Sequence, residues 1–154
     1  MFALHGELDN NNVQTDRLNT LYCCFEDLDI LPPFSIDIQA LECGHNSLTS
    51  LPNIPDSIGN RGLISLNCEY NSITELPSLP NTLEILKCNN NNLINLPILP
   101  DSLEILYCNN NKLVSLTLLE NITAELQILN CSNNNLNRLP NFDNVPGNLI
   151  MLNC

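Results

Sequence analysis

The sequence predicts a curved solenoid of the α/β class, with about seven parallel strands on its concave side and extended, polyproline-II or short 3-10 segments on its convex side. Three observations predict it. One short motif recurs at intervals of 20 to 25 residues. Inside each copy, apolar residues alternate with polar ones over a strand-length stretch. Each alternating stretch is followed by Leu-Pro pairs, which favour extended backbone over helix.

The motif is plainest in Leu83 to Pro100, LEILKCNNNNLINLPILP, and DSLEILYCNNNKLVSLTLLE nearly repeats it. Reduced to its fixed positions the unit reads L-x-x-L-x-C-x-x-N-x-L-x-x-L-P. This is the leucine-rich-repeat pattern, with Cys at the third inward position. Units start near residues 18, 38, 63, 83, 103, 126 and 149, and the last is incomplete. Residues 18–154 form the repeat domain. Residues 1–17 are expected to cap its first strand, with Phe2, Leu4 and Leu8 as the covering residues. The first unit has Glu26 where the others have Asn. Gly59-Asn60-Arg61-Gly62 supplies turn residues where the period stretches to 25. Before the sixth unit, TLLENITAE lacks the Leu-Pro pair, and a short helical turn is expected there.

Alternation turns the second Leu and the Cys of each unit inward and stacks them against the next unit. Cys23, Cys43, Cys68, Cys88, Cys108, Cys131 and Cys154 therefore form a column of small, buried hydrophobes. Neighbouring parallel strands sit about 4.8 Å apart, too far for disulfides between successive units. A row of thiols also implies a reducing compartment. Asn46, Asn71, Asn91, Asn111 and Asn134 fall where the backbone turns inward, and their amides can satisfy buried backbone groups of two units. Both sets are structural. Loss of one such amide should cost about 1–3 kcal/mol. By the same alternation Asn89 faces outward, so Asn89→Ala should cost little.

The net charge of -12 and pI near 4.1 make nucleic acid and anionic membrane poor partners. Residues 1–75 hold eleven of the seventeen acids, with only Arg17 and Arg61 as bases. That imbalance points to a basic protein partner on the N-terminal half. MFALHGELD carries no signal-peptide pattern, and no apolar run approaches membrane-spanning length, so a cytoplasmic protein is expected. The sequons at Asn121 and Asn130 then read as accidents of an Asn-rich composition. His5 and His45 are the only histidines. No catalytic, metal or cofactor site is expected from them. Cys24 points outward, but Glu26, Asp27 and Asp29 should raise its pKa, which argues against a reactive thiol.

The units resemble the short leucine-rich repeats of secreted bacterial effectors, whose turns read L-x-x-L-x-V-x-x-N-x-L-x-x-L-P-x-L-P. Residues 63–80 and 83–100 match that form, with Cys for the branched apolar residue. The resemblance implies a protein-binding repeat without enzymatic activity, since nothing here matches the ubiquitin-ligase domain that accompanies some of those repeats. It would place the chain in a host cytoplasm if the source is an effector or a virus. The expected binding surface is the outward sheet face. Its candidate residues are Tyr22, Phe25, Glu42, His45, Glu69, Tyr70, Ile85, Lys87, Ile105, Tyr107 and Ile128, with the three isoleucines as an exposed strip. Two alternatives stand beside this reading. One is an assembly unit that dimerises through its uncapped C-terminal strand; the other is the repeat part of a larger effector.

Overall fold

The computed structural model describes residues 19–34, 37–54, 62–117, 119, 125–138 and 149–154. Seven three-residue strands run in chain order: β1 (Thr20–Tyr22), β2 (Ala40–Glu42), β3 (Ser65–Asn67), β4 (Ile85–Lys87), β5 (Ile105–Tyr107), β6 (Ile128–Asn130) and β7 (Met151–Asn153). They form one parallel sheet in the order β1-β2-β3-β4-β5-β6-β7. The register keeps each position beside its equivalent, so Leu21, Leu41, Leu66, Leu86, Leu106, Leu129 and Leu152 stand in one row. The proposed cap at 1–17, Leu18, Gly59-Asn60-Arg61 and the Asn121 sequon lie outside the described residues.

The inward rows make the core. Leu41, Leu66, Leu86, Leu106 and Leu129 are fully buried, as are Cys43, Cys68, Cys88 and Cys108. The return segments add Leu76, Leu79, Leu96 and Leu99, packed on the same core from the opposite side. Pro80 and Pro100 end those segments, and their carbonyls accept from the N–H of Leu83 and Leu103 at 3.1 Å. The chain thereby turns back towards the sheet. At the same corner Thr82 Oγ1 donates to the Leu63 carbonyl (2.9 Å) and Ser102 Oγ to the Leu83 carbonyl (2.7 Å). Before the sixth unit a tight turn does form, closed by Leu119 N–H on the Leu116 carbonyl at 2.9 Å.

The ninth-position asparagines tie unit to unit. Asn91 Nδ2 donates to the carbonyls of Cys68 (2.9 Å), Cys88 (3.2 Å) and Asn89 (3.3 Å), and its Oδ1 accepts from Ile73 N–H (2.9 Å). Asn46, Asn71, Asn111 and Asn134 repeat the arrangement. The first unit, with Glu26 at that place, takes both Glu26 N–H and Leu28 N–H to Asn46 Oδ1 (3.1 and 3.0 Å).

One member of the cysteine row departs from expectation. Cys154 is exposed, and Leu152 near it is 44% exposed, because among the described residues β7 has a packed neighbour on only one side. In a middle unit the core predicts a large penalty for lost volume. Leu86→Ala should lower unfolding free energy by about 2–5 kcal/mol in urea denaturation. Exposed Lys112→Ala should stay within about 0.5 kcal/mol.

Candidate functional site

Past each strand the chain leaves the ladder through a residue with left-handed backbone. Phe25 (φ 60), His45 (φ 56), Tyr70 (φ 51), Asn90 (φ 56), Asn110 (φ 55) and Asn133 (φ 55) hold this place in the first six units. Asparagine and histidine adopt positive φ more readily than other non-glycine residues, and the bulky rings of Phe and Tyr do not. Phe25 and Tyr70 therefore each store about 1–3 kcal/mol of backbone strain. The three rings also face one another. Phe25 and His45 stack with ring centroids 4.3 Å apart at 15°, and His45 and Tyr70 at 4.3 Å and 14°. Each stacked pair returns about 0.5–1.5 kcal/mol, so the ladder recovers part of the strain.

The ladder is open to solvent. Phe25 is 74% exposed and Tyr70 49%, with His45 half-buried between them. Tyr22, on β1, is 66% exposed. Two carboxylates sit beside this cluster. Glu42 Oε2 accepts from Asn67 Nδ2 (2.9 Å) and Glu69 Oε2 from Asn89 Nδ2 (3.0 Å). Their hydrogen-bond partners are thus amides of the next unit. Gly44 makes room for the second carboxylate, since a Cβ there would stand 3.2 Å from both Glu69 Cγ and the Glu69 carbonyl oxygen.

Three expectations about this face need correction. Asn89 is buried, with its side chain on Glu69, so Asn89→Ala removes a hydrogen bond from a covered site. The strand ends at Lys87, and alternation does not extend through the bend that follows. Ile85, Ile105 and Ile128 are half-buried rather than exposed, because they lie in register on adjacent strands and cover one another. Tyr107 and Lys87, also in register, are half-buried in the same way. For Cys24 the direction was right and the cause different. Burial raises its pKa first, a hydrogen bond with the Gly44 backbone opposes, and Glu42 and Glu69 add to the rise.

The six buried thiols are kept protonated by burial. It pushes Cys23 up to about 11 and both Cys68 and Cys131 up to about 12; Cys43, Cys88 and Cys108 are also raised. All eight cysteines are free. Among the described residues, no three His, Cys, Asp or Glu side chains converge on a point that could hold a metal ion. A shallow groove of about 480 Å³ between the return segments of the third and fourth units is lined mainly by Leu76, Leu79, Pro97, Ile98 and Pro100, with Glu75 and Asp101 at its margin.

Solved structures place the architecture. The leucine-rich-repeat domain of a Shigella effector is 34% identical with a TM-score of 0.69, covering 80% of this chain and 53% of its own. YopM from Yersinia enterocolitica WA-314 is 28% identical with a TM-score of 0.66, over 81% of this chain and 26% of its own. YopM from Yersinia pestis, a leucine-rich effector protein, is 30% identical with a TM-score of 0.61, over 88% and 42%. The chain is a leucine-rich-repeat solenoid. Its short units resemble those of these bacterial effectors, and it spans between about a quarter and about half of their lengths. No protein-family model and no curated protein matches the sequence.

Sensitivity of this leucine-rich-repeat core to alkali follows from the thiols. A pKa raised on folding means the native chain keeps its proton where the unfolded chain loses it. The stabilisation is intact below 9.0 and is lost progressively as pH climbs from there to the native values, about 11 for Cys23 and about 12 for Cys68 and Cys131. Thermal midpoints should therefore fall between about pH 9 and 11, and Cys88→Ala should make that fall shallower although its midpoint starts lower. An equally steep fall in the variant would remove the thiols as its cause.

Proposed function

We propose that this chain is a non-enzymatic protein-interaction module that binds a partner on the concave sheet face of its solenoid. The observation that carries the reading is the set of large aromatic side chains left in solvent on that face. Tyr22, Phe25 and Tyr70 are 66%, 74% and 49% exposed. Aromatic side chains supply much of the contact energy at protein interfaces, at little conformational cost. The effector resemblance supports the same class of role. The net charge of -12, concentrated on the N-terminal half, favours a basic partner over nucleic acid or anionic membrane. The row of free thiols fits a reducing, cytoplasmic setting.

A second reading is self-association through β7. Among the described residues that strand pairs on one side only, and Ile150, Met151 and Leu152 are 80%, 40% and 44% exposed. Unpaired edges recruit other strands. A strict monomer in light scattering at high concentration would remove it. The third reading, the repeat part of a longer effector, rests on the resemblance.

The main reading is tested on a partner recovered from the native cell and then purified. Joint Tyr70→Ala and Tyr107→Ala changes should weaken its binding about tenfold or more. Ile98→Ala on the convex side, where Ile98 is 83% exposed, should leave it unchanged. The reverse pattern would put the interface on the wrong surface.

A further inference from the structure

We propose that the Phe25–His45–Tyr70 ladder is a docking platform for an arginine side chain of the protein partner, with Glu42 and Glu69 supplying the counter-charge. The inference rests on the interaction-module reading and narrows it to one partner chemistry. Three nearly parallel rings with centroids 4.3 Å apart form a continuous π stack across three units. Among the described residues Phe25 ends the stack, one of its faces meets a ring, and 74% of its surface stays in solvent. A planar guanidinium can add itself as the next layer, which an ammonium cannot do as well.

The charge beside the stack has the matching sign. Glu42 and Glu69 both act on Cys24, the residue before Phe25, and Glu26 follows Phe25 directly. Glu42 and Glu69 are held by one amide each, Asn67 and Asn89, which orients them without neutralising them. The base in the same row, Lys87, stands on the far side of Asn67 from Glu42. The site is an open face without enclosing walls, so a free small cation would find few contacts. A side chain presented by a protein that lies along the sheet gains the rest of its contacts there.

The fold itself does not require the rings. The next three units carry Asn90, Asn110 and Asn133 at the same backbone place, with the same left-handed φ. Phe25 and Tyr70 thus occupy a strained position that this chain elsewhere fills with a better-suited residue. This supplies a substitution that removes the platform and leaves the turn intact.

The test uses the full chain and a blocked Gly-Arg-Gly-Arg-Gly peptide as probe, followed by NMR on the ring resonances. Those of Phe25, His45 and Tyr70 should shift and saturate. The citrulline version, neutral and equally planar, should bind at least about threefold more weakly, and the lysine version should fall between them. The triple variant Phe25→Asn, His45→Asn, Tyr70→Asn should bind the arginine peptide at least about threefold more weakly while melting no lower than the native chain. Glu42→Gln with Glu69→Gln, whose amide oxygens can still accept from Asn67 and Asn89, should weaken it similarly and serves if the triple variant does not fold. Equal binding of the arginine and citrulline peptides, or undiminished binding to a folded variant, would overturn the proposal. If the native partner is lost on Tyr107→Ala but not on the triple variant, the module reading stands and the arginine site falls.

Discussion

The structure depends on what happens to the backbone just after each strand. Three residues of parallel ladder are too few to hold a unit, and the left-handed bend that follows leaves carbonyls pointing inward. A single asparagine amide meets that need. In Asn111, Nδ2 serves the carbonyls of Cys88 and Cys108 at 3.0 and 3.1 Å, and Oδ1 takes Leu93 N–H at 3.0 Å. Each such side chain belongs to one unit and satisfies the backbone of another. A buried polar group left without a partner costs about 1–3 kcal/mol, so the asparagine row adds a further coupling to the backbone ladder and apolar packing that neighbours share. In a repeat protein this nearest-neighbour term decides whether the array holds together.

The same bend also creates the surface. Once the chain is held in a left-handed turn, the side chain at that place is thrown to the edge of the sheet face in each of the first six units. In the later units asparagine occupies it, and Asn133 Nδ2 donates to Asn110 Oδ1 at 2.8 Å. In the first three units the place holds Phe25, His45 and Tyr70, which stack instead. One device therefore yields a polar ladder at one end and an aromatic ladder at the other. The aromatic ladder stands in the half of the chain where the acids are also densest.

Much of the fold was legible in the sequence because its signals are local and repeated. Leu66, Cys68 and Asn71 declare their roles by spacing alone, and the same spacing returns in Leu86, Cys88 and Asn91. The site was legible only in part. The row Phe25, His45, Tyr70 can be read from the register, but the stacking depends on a positive φ that alternation does not encode. Asn89 was misplaced for the same reason, since two-residue periodicity ends with the strand at Lys87. Burial of Ile85, Ile105 and Ile128 depends on strands lying side by side, a neighbour effect no single unit contains. The pairing of Glu42 with Asn67 and Glu69 with Asn89 joins residues 25 and 20 apart. Only the stacked units bring them together.

Coupling through the asparagine row is tested most directly by native-state hydrogen exchange at the N–H groups that the amides hold. Leu48, Ile73, Leu93 and Leu113 each donate to the asparagine of the following unit, and all four should exchange slowly in the native chain. Asn91→Ala should release Ile73 N–H first and most, speeding its exchange about tenfold or more, with Leu113 least affected. Unchanged protection at Ile73 in that variant would mean that the strand ladder and packing hold the units together without the asparagine row.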